Sequence, residues 1–329
     1  MLTNHCYLGD CRDVMRDLIA AGVRVQCIVT SPPYWGLRDY GVAGQLGLEP
    51  TLREFLTNMV EVFDLCRELL ADDGTLWLNM GDAYAGSWGA QGRPQGMGEM
   101  TGRSVASARQ IGASPRFGSG TGTRGRELGL KSKDLMGQPW RLAFALQDAG
   151  WWLRQDIIWH KPNPMPESVR DRCTKAHEYL FLLTKSDRYS FDSGAIAERA
   201  SDLRGPGNVN PVRALPGERD SGDNANIRGS LHKIGPRETR NKRSVWSIAT
   251  QSFDGAHFAT FPEALVEPCI LAGSRPGDIV FDPFMGSGTV ASVAQRLGRR
   301  WLGAELNPDY IALQAERTRQ PGLVLEASA

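Results

Sequence analysis

The sequence predicts an α/β fold, a mostly parallel sheet with helices on both faces, and three observations carry that prediction. Short apolar strand-like runs alternate with amphipathic runs of helical spacing along much of the chain. One strand, Val25 to Thr30, runs directly into Ser31-Pro32-Pro33-Tyr34-Trp35. Another, Asp278 to Phe281, runs into a glycine turn, Asp282-Pro283-Phe284-Met285-Gly286-Ser287-Gly288, and then a helix from near Thr289 that stops at Gly298. Open α/β sheets bind their ligands at strand ends of this kind.

The elements follow in order. Pro32-Pro33 ends the first strand, because proline has no N–H and pushes the preceding residue out of the helical region. Thr51-Leu-Arg-Glu54 is a capping box, and Leu52, Phe55, Leu56, Met59, Phe63, Cys66 and Leu70 keep helical spacing behind it. Strands are expected at Thr75 to Asn79, Gln155 to Trp159, Tyr179 to Leu183 and Arg300 to Gly303. Thr260-Phe-Pro-Glu263 opens a further helix, and Asn307-Pro308 pairs an N-cap with a first-turn proline. The pattern lapses twice. Residues 86–133 form a glycine-rich tract longer than an ordinary connection, and 199–243 form a second polar stretch. There is no internal repeat.

The 329 residues, 41% hydrophobic and 23% charged, have the composition of a soluble globular protein. The N-terminus has no signal pattern and no apolar run reaches membrane-spanning length, so no membrane association and a cytoplasmic location are expected. Six cysteines without a CxxC pair and five scattered histidines suggest neither a disulfide framework nor a metal site. The cysteines are expected to be reduced and mostly packed. The net charge of +1 conceals an uneven distribution. Residues 91–133 hold eight Lys/Arg against two acids, 199–243 hold ten against five, and the remainder sums to −10. Two basic segments on an acidic scaffold suit a polyanion such as nucleic acid. Solvated loops are the plainer reading.

The glycine turn and Glu305, seventeen residues after Gly288 at the end of the next strand, form a nucleoside-binding pair: a helix N-terminus for the ligand and a carboxylate for ribose hydroxyls. The dinucleotide fingerprint is not matched, since Ala291 stands at its third glycine, and the phosphate loop is absent. An acidic turn suits a cofactor without phosphates. S-adenosylmethionine (SAM) fits, because its sulfonium and ammonium groups are cationic.

The turn with Glu305 resembles the SAM-binding pair of the amino-group DNA methyltransferases, and Ser31-Pro32-Pro33-Tyr34 resembles their catalytic motif. The cofactor turn lies about 250 residues after the tetrapeptide, an order similar to that of the permuted β class. Leu8-Gly9-Asp10 resembles the acidic motif near the adenine ring, residues 159–172 a strand-and-loop block, and His257 to Pro262 the segment along the methionine moiety. The resemblance implies a Rossmann-like SAM-dependent methyltransferase fold with a seven-stranded sheet in circularly permuted order. It divides the chain into a catalytic part, 1–198, with its basic insertion 86–133, a target-recognition segment, 199–243, and a SAM-binding part, 244–329. It implies Asp10, His257, Phe258, Thr260, Phe261, Pro262, Asp282, Pro283, Phe284, Gly286, Ser287, Gly288, Glu305 and Asn307 as the cofactor set, with Ser31, Pro32, Pro33 and Tyr34 catalytic.

An exocyclic amine is a poor nucleophile because its lone pair is delocalised into the ring. Acceptors on its N–H groups favour pyramidalisation, and the Ser31 hydroxyl and Pro32 carbonyl are the candidates, with Tyr34 stacking on a flipped base. No general base is evident. Serine at the head of the tetrapeptide is associated with N4-cytosine methylation in the family that the chain resembles, so the resemblance implies N4-cytosine in duplex DNA, with N6-adenine the alternative. Cytosine C5 chemistry would need a thiolate, and Pro268-Cys269 lies within an apparent helix where a packed cysteine is the commoner role. His257 reads as pocket wall, His177-Glu178 lacks the second histidine of HExxH, and Trp151, Trp152 and Trp159 read as core or pocket rim. A SAM-fold DNA-binding subunit without activity, and RNA or protein glutamine as substrate, are the further alternatives. Arg38, Lys161, Arg170, Arg172, Arg228, Lys233, Arg237 and Arg240 are candidate DNA contacts. A homodimer and a cognate restriction endonuclease stay open as partners.

Overall fold

The computed structural model describes residues 3–37, 39–85, 128–200, 238–251 and 261–319. It divides into two compact units, Met1–Phe191 with Ser244–Ala329, and Asp192–Arg243.

In chain order the larger unit contains β1 (His5–Leu8), α1 (Cys11–Ala20), β2 (Val25–Thr30), α2 (Leu52–Leu69), β3 (Leu70–Met80), α3 (Gln138–Asp148), β4 (Trp152–His160) and β5 (His177–Thr184). The smaller unit contributes β6 (Glu198–Arg199) and β7 (Thr239–Arg240). The larger resumes with β8 (Val245–Ser247), α4 (Glu263–Gly273), β9 (Ile279–Asp282), α5 (Thr289–Arg296), β10 (Arg300–Glu305) and α6 (Pro308–Arg317).

Eight strands form one sheet in the order β1-β10-β9-β2-β3-β5-β4-β8. Every pairing is parallel except those of β5, which runs against both β3 and β4. The short β8 is an eighth strand beyond the expected seven, added beside β4. The central position of β2 explains its nearly continuous burial, as both faces of the sheet are covered. Helices α1 and α3 both pack on α2, and α4 and α6 both pack on α5.

Local chemistry accounts for several boundaries. Thr51 caps α2, its hydroxyl accepting from Glu54 N at 3.1 Å, and Leu52, Phe55, Met59, Phe63 and Cys66 face the core as the spacing requires. Leu70 departs from expectation: it is the extended C-cap, and β3 starts there. α4 opens at Glu263, the last residue of the stretch expected to open a helix, with Pro262 as a cap that makes no side-chain bond. Thr260 lies outside the described residues. Asn307 caps α6 through Asp309 N at 3.0 Å.

Five cysteines are buried and Cys173 is exposed, all with free thiols. Trp151 and Trp159 are buried, whereas Trp152 is 47% exposed on β4, so the reading of core or pocket rim fails for it. No described helix is long and apolar enough to cross a membrane. Among the described residues no cluster of His, Cys, Asp or Glu could hold a metal ion.

In the smaller unit β6 and β7 pair antiparallel, and Glu198 Oε1 accepts from Arg240 Nε at 2.9 Å and Arg243 Nε at 2.6 Å. The described guanidinium of Arg240 is thus paired with a carboxylate.

Candidate active site

The parallel strands β1, β2, β3, β4, β9 and β10 deliver their C-terminal ends to one edge of the sheet, and β5 delivers its N-terminus to the same edge. A cavity of about 330 Å³ opens there. It is lined at one end by Ser31, Pro32, Pro33 and Tyr34, and at the other by Pro283, Phe284, Met285, Gly286, Ser287, Glu305 and Asn307. Gly9 and Asp10 join the turn end, where Gly9 N donates to Glu305 O at 2.8 Å, Phe261 also lines the cavity, and Asn79, Trp159, Lys161 and Glu178 line it at the tetrapeptide end.

The turn is built by two left-handed glycines. Gly286 (φ +51°) reverses the chain and Gly288 (φ +85°) caps α5, a conformation that a side chain opposes. A Cβ on Gly288 would also come within 3.0 Å of Gln314. Helix α6 braces this turn: Gln314 Nε2 donates to Gly286 O at 2.6 Å, and Arg317 Nη1 donates to Ser287 Oγ and Thr289 Oγ1, each at 2.9 Å. Glu305 accepts from Gly286 N and Asn307 N, both at 2.8 Å. Burial raises its carboxyl above the usual range against the pull of these bonds. Asp10 caps α1, and the hydrogen bond from Arg12 at 2.6 Å holds its carboxyl below the usual range.

Asp282 is 1% exposed and lies beneath the turn rather than on the cavity wall. Its Oδ1 accepts from Thr30 Oγ1 at 2.7 Å and Phe284 N at 2.9 Å, while Oδ2 is buried without a partner. Burial pushes this carboxyl up to about 7, with Thr30 and Phe284 opposing and the charge of Glu305 adding. The Thr30–Asp282 bond ties the last residue of β2 to the last residue of β9, immediately before the two motifs.

At the tetrapeptide end, Trp35 is buried and donates through Nε1 to Glu49 O at 2.8 Å, which anchors the segment after the prolines. Tyr34 Oη donates to Glu178 Oε2 at 2.9 Å and lies 3.4 Å from Ser31 Oγ. Burial, with the charge of Glu178, raises the Tyr34 phenol well above its ordinary value. Lys161 Nζ lies 2.5 Å from Glu178 Oε1 and 4.3 Å from the centre of the Trp159 ring.

The match to known proteins covers these same elements. The N6/N4 family model described as "DNA methylase" matches residues 25–317, from the strand before the tetrapeptide to the helix that braces the turn. The chain belongs to the DNA methylase family. The Type II methyltransferase M.Cfr9I of Citrobacter freundii is 45% identical over 309 residues, 94% of this chain and 85% of that protein. The Type II methyltransferase M.SmaI of Serratia marcescens is 43% identical, over 94% and 89% of the two chains. Among solved structures, the cytosine-N4-specific PvuII DNA methyltransferase shares the fold at 18% identity with a TM-score of 0.58, over 97% of this chain and 87% of that one. TTHA0409 of Thermus thermophilus, complexed with SAM, gives 23% identity and a TM-score of 0.53 over 94% and 91%.

The methylase is a permuted β-class, SAM-dependent enzyme that acts on amino groups of DNA, of the N4-cytosine/N6-adenine class. Its site fits the cofactor on chemical grounds. Asp10 and Glu305 stand at the turn end, and the only Lys or Arg among the described lining residues is Lys161, at the other end and paired with Glu178. That is an environment for a cation and not for phosphates.

The structure brings Ser31, Pro32, Pro33, Tyr34, Asp10, Phe261, Pro283, Phe284, Gly286, Ser287, Glu305 and Asn307 of the methylase to one cavity. Asp282, Gly288 and Pro262 do not line it: the first two shape the turn and the third caps α4. His257, Phe258, Thr260, Arg38, Arg228, Lys233 and Arg237 lie outside the described residues. Lys161, taken from sequence as a DNA contact, lines the cavity, where its ammonium meets Glu178 and the Trp159 ring. Arg170 is exposed, and Arg172 is bonded to Glu167 Oε2 at 2.6 Å over the ring of Tyr84. Sequence reasoning passes over Glu178 and Asn79 as cavity residues. No sequence signal marks either, since each enters the cavity through the pairing of β5 with β3, where Met80 lies opposite Tyr179 and Asn79 opposite Leu180.

The cysteine rival finds no support. Cys269 is fully buried inside α4, its thiol bonded to Leu265 O at 3.2 Å, and it does not line the cavity. Cys11 does line it, but burial pushes that thiol up to about 12, far from a thiolate.

Proposed function

We propose that the enzyme methylates the N4 amine of a flipped cytosine in duplex DNA, with Ser31 and the Pro32 carbonyl accepting from the amine. The observation that supports this most is the shared cavity: Ser31 stands at one end and the Glu305–Gly286 cofactor turn at the other. SAM, when bound, supplies an electrophilic methyl group. The residues of this chain do the rest. Ser31 Oγ and Pro32 O draw the nitrogen lone pair out of conjugation, and the two prolines fix the direction of the carbonyl. The Tyr34 ring forms a wall for the extruded base. Serine at the first position, associated with N4-cytosine in this family, and the fold shared with the cytosine-N4-specific PvuII enzyme support cytosine over adenine.

The basic segment 199–243 is proposed to read the target, through Arg228, Lys233, Arg237 and Arg240, and Arg38 and Arg170 to meet phosphates. The relatives' description as Type II methyltransferases supports a cognate restriction endonuclease as partner.

Incubating the enzyme with unmethylated duplex DNA and SAM, then digesting to nucleosides for mass spectrometry, tests the assignment. The expected product is N4-methylcytosine. N6-methyladenine as the sole product would replace cytosine with adenine, and 5-methylcytosine would refute the amine mechanism altogether.

A further inference from the structure

Glu178 is linked to the tetrapeptide's serine through Tyr34, whose hydroxyl lies 2.9 Å from Glu178 Oε2 and 3.4 Å from Ser31 Oγ. A tyrosine has one proton to donate, and Tyr34 gives it to Glu178 Oε2 at 2.9 Å. The other carboxylate oxygen accepts from Lys161 Nζ at 2.5 Å, and that ammonium rests against Trp159. Both oxygens of Glu178 are thus engaged as acceptors, and with its one proton given to Glu178, Tyr34 Oη can meet Ser31 only as an acceptor. In the Ser31–Tyr34 contact of 3.4 Å, where either oxygen could donate by geometry alone, this leaves Ser31 as the donor. With its single proton turned toward Tyr34, Ser31 Oγ presents lone pairs to the cavity, where an amine N–H must be accepted.

We infer that Glu178 is a positioning residue for amine methylation, acting through Tyr34 to hold Ser31 as a hydrogen-bond acceptor, with Lys161 as its counter-charge. This rests on the reading of Ser31 as the amine acceptor. The surroundings keep the chain in place. A Cβ on Gly81 would lie 2.9 Å from Tyr34 Cε2 and 3.2 Å from the Glu178 carboxyl, so only glycine leaves room for both side chains. Lys175 and His177 add nearby charge and polarity, and burial lowers the tendency of both to be protonated. Replacing the carboxylate by an amide would put an N–H against Tyr34 Oη. The tyrosine proton would then be free to turn onto Ser31 and occupy the lone pair that the amine needs.

The test is a double-mutant cycle on the full-length enzyme, read as single-turnover transfer of radiolabelled methyl to unmethylated duplex DNA, with SAM affinity measured by calorimetry. Glu178→Gln should slow transfer about tenfold or more with Tyr34 present, and no more than about twofold in the Tyr34→Phe background, where no phenol proton exists to be misdirected. SAM affinity should stay within about twofold throughout. Glu178→Ala, which also releases the tyrosine proton, runs in parallel should the glutamine variant not fold. Equal slowing by Glu178→Gln in both backgrounds would show a merely structural role and overturn the inference. A Ser31→Ala enzyme that transfers methyl at the wild-type rate would instead remove the reading on which it rests. Because the readout is methyl transferred, the cycle is interpretable whichever base carries the amine.

Discussion

The buried carboxyl beneath the cofactor turn makes stability depend on pH in an unusual direction. In the unfolded chain Asp282 titrates as an ordinary carboxyl near 3.8, and in the fold near 7. Between those values the native state holds a proton that the unfolded state has lost, so stability falls as pH rises through the window and levels off above about 7. The displacement is about three pH units, which at 1.36 kcal/mol each corresponds to about 4 kcal/mol from one residue. Asp282→Asn isolates it. The asparagine Oδ1 can still accept from Thr30 and Phe284 N, but the group no longer titrates. Its Nδ2 replaces the partnerless Oδ2 and leaves a buried unpaired donor, a pH-independent cost of about 1–3 kcal/mol. The informative quantity is therefore the difference between wild type and variant across pH. Urea unfolding of the cofactor-free proteins at pH 5, 6, 7 and 8 should show the wild type losing about 3 kcal/mol relative to Asp282→Asn over that range. A difference constant from about pH 5 to pH 8 would refute the buried, proton-holding assignment.

Three further outcomes are expected. Gly81→Ala should crowd Tyr34 and Glu178 apart and lower kcat about tenfold while SAM affinity in calorimetry stays within about twofold, since the turn is untouched. Arg317→Met removes the bonds to Ser287, Thr289 and Glu263, and should weaken SAM binding about tenfold with kcat at saturating SAM preserved, as a kinetic titration would show. Cys269→Ala should transfer methyl at the wild-type rate within about twofold, and a total loss of transfer in a folded variant would revive a thiolate mechanism.

The parts of the site legible in the sequence are those whose chemistry is local. The prolines after Val29-Thr30, the two glycines of the turn, Thr51 and Asn307 each act on residues a few positions away, so their pattern is sufficient. Glu178 and Lys161 show the opposite case. Their roles depend on an antiparallel strand whose register places Tyr179 opposite Met80 and so brings Glu178 beside Tyr34, 144 residues earlier in the chain. A lysine in the sequence carries the same charge whether it meets phosphate or a carboxylate, and only the fold decides between them. Asp282 shows a subtler limit. The motif marks it as a cofactor residue, yet its carboxylate faces Thr30 and the turn's own backbone. The strand β1 escapes pattern reading because its four residues are too few for a periodic signal, although Asp10 is a good cap for the helix that follows.

The pairing of β2 with β9 also constrains how the protein comes into being. Those neighbours are separated by about 250 residues, and β9 sits between β2 and β10 in the interior of the sheet. During synthesis the ribosome releases the tetrapeptide strand long before its neighbour exists. Until then β2 presents a bare apolar edge, the kind of surface that recruits chaperones or wrong partners. The late strand β9 covers that edge and carries the cofactor turn at its end, and β10, which brings Glu305, and β1 lie beyond it. The strand that covers the apolar edge of β2 is thus also the strand that ends in the cofactor turn.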